Sequence, residues 1–219
     1  MNKREMYDCL YSLFQKINED IETLEWCPSF EKDALSQHKL FASNDIVFIG
    51  NGCSKWVFSL KKFPDVVFKV PFRGISFSDG RESFQYAKDY DQGWDYCAIE
   101  EIIYQKALHA GKEKFFPETC YLGEVGGLRV YIAERMQPYT PPEFFSEETK
   151  EIACRCSFYY KEFPIEIAQG LADSGYKLWE IVELASFLAE EEIYDLYSEN
   201  FGLDKKGKFR IIDFSSFND

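Results

Sequence analysis

Apolar residues recur at three- and four-residue steps through Tyr7, Leu10, Leu13, Phe14, Ile17, Ile21 and Leu24, which predicts a helix with one apolar stripe. Such a stripe has to be covered, either by the chain's own core or by a partner surface. From Asp45 the pattern changes to short β-rich runs, DIVFIG, KWVFSLKKF and DVVFKVPF, parted by Asn-Gly and a Pro-Asp turn. These predict three consecutive strands in a meander. Residues 73 to 95 mix glycine, serine and charge and read as a loop or insertion. Helical periodicity returns in YCAIEEIIYQKALHAG, which ends on glycine in the manner of a C-cap. FFPETCYLGEV and LRVYIAERM, divided by Gly126 and Gly127, predict a further hairpin.

Beyond Pro138 the prolines at 141 and 142 mark a linker, and residues 147 to 192 are mainly helical, most clearly in YKLWEIVELASFLAEEE. NFGL and FRIIDF, joined by DKKG, predict two short strands. Five strands with one helix, then helices, then a hairpin make an α+β architecture of two lobes. The expected segments are a helical extension over 1–40, a strand-rich lobe over 41–137 and a shortened, mainly helical lobe over 138–219.

Composition narrows the chemistry. At 219 residues, 46% of them hydrophobic and 18% aromatic, the chain has enough apolar surface to bury the core of one domain or of two small lobes. Its seven cysteines contain no CxxC pair, and histidine occurs only at 38 and 109, so neither a zinc site nor a disulfide framework is expected. Reduced thiols acting as small apolar side chains fit better. A formal net charge of −13 argues against a nucleic-acid surface. It favours a basic partner, or simply keeps the surface solvated. Apolar stretches fall short of the roughly 18 residues that span a bilayer, and acids interrupt the start of the chain where a signal peptide would be apolar. The expectation is a soluble, cytoplasmic protein with no membrane partner.

Against that background, IYDLYSEN at 193–200 sets an aspartate five positions before an asparagine, and IIDFSSF follows on the next strand. Upstream, IGNGCSKWVF is glycine-rich, VVFK places a lysine in an apolar strand, and YIAERM closes the hairpin. Each pattern is weak alone. In this chain order, and on these element types, they resemble the protein-kinase-like superfamily from about residue 45 onward.

The resemblance implies a five-stranded antiparallel N-lobe sheet with one helix, a shortened C-lobe, and ATP with Mg²⁺ as cofactors. It makes Asp195 the catalytic aspartate, Asn200 and Asp213 the metal ligands, and Lys69 the cation on the α- and β-phosphates. Glu100 is the implied ion-pair partner of Lys69, with Glu101 as the alternative. Gly50, Asn51 and Gly52 would approach the phosphates, Val57 and Val67 the adenine face, and the backbone of Glu134 and Met136 the adenine edge, with Ala133 as gatekeeper. The chemistry is consistent with those residue types: magnesium takes hard oxygen ligands, and a phosphoryl group needs a fixed cation.

Departures from the pattern bear on activity. Ile193 and Tyr194 replace the usual His-Arg, Tyr197 replaces a loop lysine, and Ser215 replaces the glycine after Asp-Phe. Lys55 stands where a third glycine is usual, either as a compensating cation or as a solvated strand residue. Acids at 180, 183, 190, 191, 192 and 199, opposed in this stretch only by Lys177, would attract a cationic acceptor or merely form a wet helix face. Two functions follow: an Mg-ATP-dependent phosphotransferase acting on a protein or small-molecule hydroxyl, or a pseudokinase that binds nucleotide or docks a partner, with the N-terminal helix as one docking element.

Overall fold

The computed structural model describes residues 2–15, 45–51, 54–71, 74–77, 83–86, 95–125, 127–194 and 196–214, with the backbone alone at 14, 15, 51, 74–77, 83–86 and 198. They fall into two compact units: one of residues 1–98 with 119–133, the other of 99–118 with 134–219. The units interleave along the chain, whereas the expected lobes meet once, at residue 137.

The first unit is built on a sheet. Strands β1 (Ile46–Asn51), β2 (Lys55–Leu60), β3 (Phe63–Pro71), β6 (Thr119–Val125) and β7 (Leu128–Glu134, its last residue in the second unit) form a five-stranded antiparallel sheet in the order β1-β2-β3-β7-β6. Residues 73 to 95, expected to be a loop, contain a two-stranded hairpin, β4 (Gly74–Phe77) with β5 (Ser83–Tyr86). Serine and glycine masked the short β-forming runs ISF and SFQY.

Strand alternation divides the sheet into two faces. Trp56, Phe58, Leu60, Val66, Phe68, Val70, Leu128, Val130 and Ile132 gather in one core, and helix α1 (Lys3–Gln15) adds Met6, Leu10 and Leu13 to it. Each large side chain so buried contributes about 1.5–3 kcal/mol. The Tyr7 hydroxyl donates to the Glu124 carbonyl at 2.9 Å, and a Cβ at Gly123 would lie 2.8 Å from the Tyr7 ring. The apolar stripe of α1 is therefore covered by its own sheet. Ile17, Ile21 and Leu24 lie outside the described residues.

Asp95 starts helix α2 (Tyr96–His109) by accepting the Ala98 N–H at 2.9 Å. It also accepts the Tyr131 hydroxyl at 2.7 Å, which ties the helix start to β7. Burial, and then this bond to a carboxylate, push the Tyr131 phenol well above its ordinary range.

The second unit is mainly helical. It holds α2 from Ile99 onward, a 3-10 turn at Glu113–Phe115, α3 (Glu147–Cys156), α4 (Ile165–Asp173) and α5 (Leu178–Glu190). Gly111, at φ +66°, closes α2 as its sequence suggested, because a left-handed residue there carries no Cβ penalty. A core of Phe115, Phe116, Ile167, Leu171, Ile181, Leu184, Leu188, Phe201, Phe209 and Phe214 holds the helices together. Strands β9 (Phe201–Leu203) and β10 (Phe209–Ile211) form the expected hairpin, and β8 (Gln137–Pro138) pairs with β9 at its edge.

Among the described thiols Cys97, Cys120 and Cys156 are buried, as small apolar side chains would be, whereas Cys9 is half-buried and Cys154 exposed; burial pushes the Cys156 thiol up to about 12. Among the described residues no helix is long and apolar enough to cross a membrane.

Candidate functional site

The first unit carries its candidate residues on the sheet face opposite the α1 core. Lys69 is only 4% exposed, and across the β2–β3 register it faces Val57. Val67, two residues before Lys69 on β3, and Ala133 on β7 are buried at positions of the same parity. A register shift between Phe48 and Gly50 brings Gly50 opposite Val57, so the glycine belongs to this face too. A Cβ at Gly50 would meet nothing within 4 Å. Asn51 ends β1 opposite Trp56, while Gly52 lies outside the described residues.

Lys55 differs from one of its expected readings. It is 3% exposed and paired with Pro71 across the strands, so it is not a solvated strand residue. Sequence alone hid this because Lys55 follows the glycine-rich turn, where exposure is the ordinary outcome. A lysine rarely sits this deep without partners, and two on one sheet face mark that face as more than packing surface.

Glu100 belongs to the second unit and is completely buried, whereas Glu101 is half-buried. Glu134 and Met136, both half-buried, open the second unit's return to its hairpin. A Cβ on Gly202 would lie 2.6 Å from the Met136 Cβ and 3.0 Å from the Gln137 carbonyl, so glycine is what lets β9 come this close to β8.

Asn200 and Asp213 flank that hairpin. The Ile212 N–H donates to the Asn200 carbonyl at 2.9 Å, which fixes the residue before Asp213 against the backbone of Asn200. Phe214 is fully buried, with its ring 4.8 Å from Phe116, and holds the chain just after Asp213. The turn between the strands is braced by Asp204, which accepts the N–H groups of Lys206 at 2.8 Å and Lys208 at 2.9 Å and pairs with Arg210 at 2.5 Å. Burial raises the Asp204 carboxyl, but those donors together outweigh it and leave the pKa below the ordinary value. On the α4 side, the Ser174 hydroxyl accepts the Phe209 N–H at 2.7 Å.

Asp195 lies outside the described residues; its neighbours do not. Ile193 is fully buried, and its N–H donates to the Leu188 carbonyl at 2.9 Å. Tyr194 and Tyr197 are exposed, the latter at 71%. The Asn200 N–H donates to the Tyr197 carbonyl at 2.8 Å.

The acid run has partners that the local sequence did not reveal. Lys114 pairs with Glu180, Lys112 with Glu183 and Lys106 with Glu191, all from the stretch around the end of α2. Lys114, followed by the Lys177 N–H, holds the Glu180 carboxyl below the ordinary range. Ser186 donates to Glu190 at 2.9 Å. The run is thus not opposed by Lys177 alone.

Asn200 and Asp213 provide one amide and one carboxylate, and no cluster of three or more His, Cys, Asp or Glu suited to a metal occurs among the described residues. Two oxygen donors alone would leave most positions of a magnesium ion to water and phosphate.

The architecture is α+β, in the order α1, three strands, the β4–β5 hairpin, a helix, two strands, the short β8, helices and a final hairpin. No family model matches the sequence, and no curated protein matches it either. Among solved structures the chain is similar to an apo pseudokinase, at 11% identity and a TM-score of 0.37 over 78% of this chain and 57% of that one. It is also similar to WbdD, solved with the kinase inhibitor LY294002, at 16% identity and a TM-score of 0.35 over 77% of this chain and 32% of that one. The chain therefore spans somewhat over half and about a third of the lengths of these two.

Proposed function

We propose that this chain is a compact Mg-ATP-dependent phosphotransferase, transferring the γ-phosphate to a hydroxyl of a protein or small molecule. The observation that carries the reading is the burial of Lys69 on β3, on the sheet face away from the α1 core and opposite Val57. An ammonium held there is costly to keep unless it serves a charge.

In this reading Lys69 contacts the α- and β-phosphates and Glu100 orients it. Asp195 accepts a hydrogen bond from the attacking hydroxyl and takes its proton late. Asn200 and Asp213 hold Mg²⁺, which when bound offsets phosphate charge. Gly50, Asn51 and Gly52 bring backbone close to phosphate, Val57 and Val67 cover the adenine, and the Glu134 and Met136 backbone meets its edge.

Tyr197 favours a second reading. Exposed where many kinases carry a cationic lysine, it leaves the γ-phosphate one charge short, as in a pseudokinase that binds nucleotide without transfer. Transfer of labelled γ-phosphate by wild type, Asp195→Asn and Lys69→Ala separates the two. Loss of label in both variants supports phosphotransfer; equal label in all three contradicts it. A thermal shift with ATP and Mg²⁺, worth about 2.7 kcal/mol at 100 times the dissociation constant, without any label transfer, supports the binding module.

A further inference from the structure

We propose that Tyr160 is a positioning residue for the catalytic loop: its hydroxyl holds the backbone at Ile193, two positions before Asp195, in place of the histidine that this loop lacks. The proposal rests on reading 193–200 as that loop.

Tyr160 is 3% exposed, and its hydroxyl donates to the Ile193 carbonyl at 2.8 Å across 33 residues of chain. The turn after α3 is built to deliver it. The Tyr159 and Tyr160 N–H groups both donate to the Cys156 carbonyl, at 2.9 and 3.0 Å. The Ser157 hydroxyl donates to Ala153 at 2.9 Å and accepts the Phe163 N–H at 3.3 Å. Glu162 takes the left-handed conformation, at φ +58°, to turn the chain into α4. Phe163 then stands edge-on to the Tyr160 ring at 5.8 Å, and Tyr194 lies over it at 5.6 Å.

The contacts bear on the loop in two ways. The Ile193 side chain is buried and apolar, so it offers no hydrogen bond to fix the backbone, and the Tyr160 hydroxyl supplies one from outside. Tyr194, exposed itself, is steadied by the same ring. Leu196 is buried and its N–H donates to the Tyr194 carbonyl at 2.9 Å, so the residue beside the Tyr160 ring is itself bonded to the loop. Small displacements of a catalytic group are expensive, since a shift of about 1 Å costs on the order of a hundredfold in rate.

The test compares wild type, Tyr160→Phe and, as a control, Tyr159→Phe, whose side chain is exposed. Amide hydrogen exchange and labelled γ-phosphate transfer are both measured. Tyr160→Phe keeps the ring and removes one hydroxyl; the Leu196 amide should exchange faster while amides of β2 and β3 stay unchanged. Transfer should fall roughly tenfold to a hundredfold in kcat, with the KM for ATP little changed. Tyr159→Phe should alter neither.

Unchanged Leu196 exchange, or unchanged kcat in an active enzyme, overturns the proposal. A wild type that never transfers label defeats the phosphotransfer reading, and with it the catalytic consequence, while exchange still decides whether the hydroxyl holds the loop. Should Tyr160→Phe not fold, exchange in the wild type decides: a Leu196 amide as open as a free chain, in an otherwise protected protein, contradicts the anchor.

Discussion

Strand β3 and the β9–β10 hairpin each present candidate site residues, but by opposite means. On β3 the alternation of the strand alone sorts Phe68 and Val70 to the α1 core and Val67 and Lys69 to the other face. The register of the strand sets which face Lys69 takes, and a one-residue slip would reverse it. Around the hairpin, Asn200 and Asp213 sit just outside short strands, and their placement depends on individual contacts: Ile212 to Asn200, Phe214 on Phe116, Ser174 to Phe209, Asp204 across the turn. Periodicity makes the first robust; the second is only as firm as its anchors.

Substitutions sharpen that contrast. The largest effect is expected from Phe209→Ala: its ring is fully buried and packs so closely that a Cβ on Gly170 would lie 2.1 Å from it, so denaturant unfolding should show a loss of about 3–5 kcal/mol. Asp204→Ala should cost about 1.5–3 kcal/mol at neutral pH by removing its charge-assisted hydrogen bonds. Because the folded-state pKa of Asp204 is depressed, its contribution is full above the ordinary carboxylate value and is lost as pH falls through the folded value. The gap between wild type and Asp204→Ala should therefore close in acid, and a gap that widened there would break the assignment. Gly202→Ala, which forces a Cβ against Met136 and the Gln137 carbonyl, should cost about 1–3 kcal/mol. Smallest of all, Lys112→Ala removes one side of a partly exposed pair with Glu183 and should change stability by under about 1 kcal/mol, less at high salt.

The same contrast explains what could be read from sequence. The three-strand meander, the α2 helix with its terminal glycine and the final hairpin were all legible, because each is a local pattern of apolar spacing and turn residues. Lys69 stood out as a lone charge in an apolar run. The β4–β5 hairpin was hidden by its glycine and serine, and the burial of Lys55 by its place after a turn. Long-range partners left no local signal: Lys106, Lys112 and Lys114 reach acids 66 to 85 residues away, and Tyr160 meets Ile193 across 33. Asp195 and Gly52, both read from motif spacing, lie outside the described residues.

The proposed function requires that strand-borne Lys69 and hairpin-borne Asp213 each contribute to nucleotide binding. It is tested most directly by titrating ATP and Mg²⁺ into wild type, Lys69→Ala, Asp213→Ala and the double variant, and reading the dissociation constant of each. The account predicts that each single change weakens binding by about tenfold or more, and that the double variant loses less than the product of the two. Wild-type affinity retained in both single variants would contradict it.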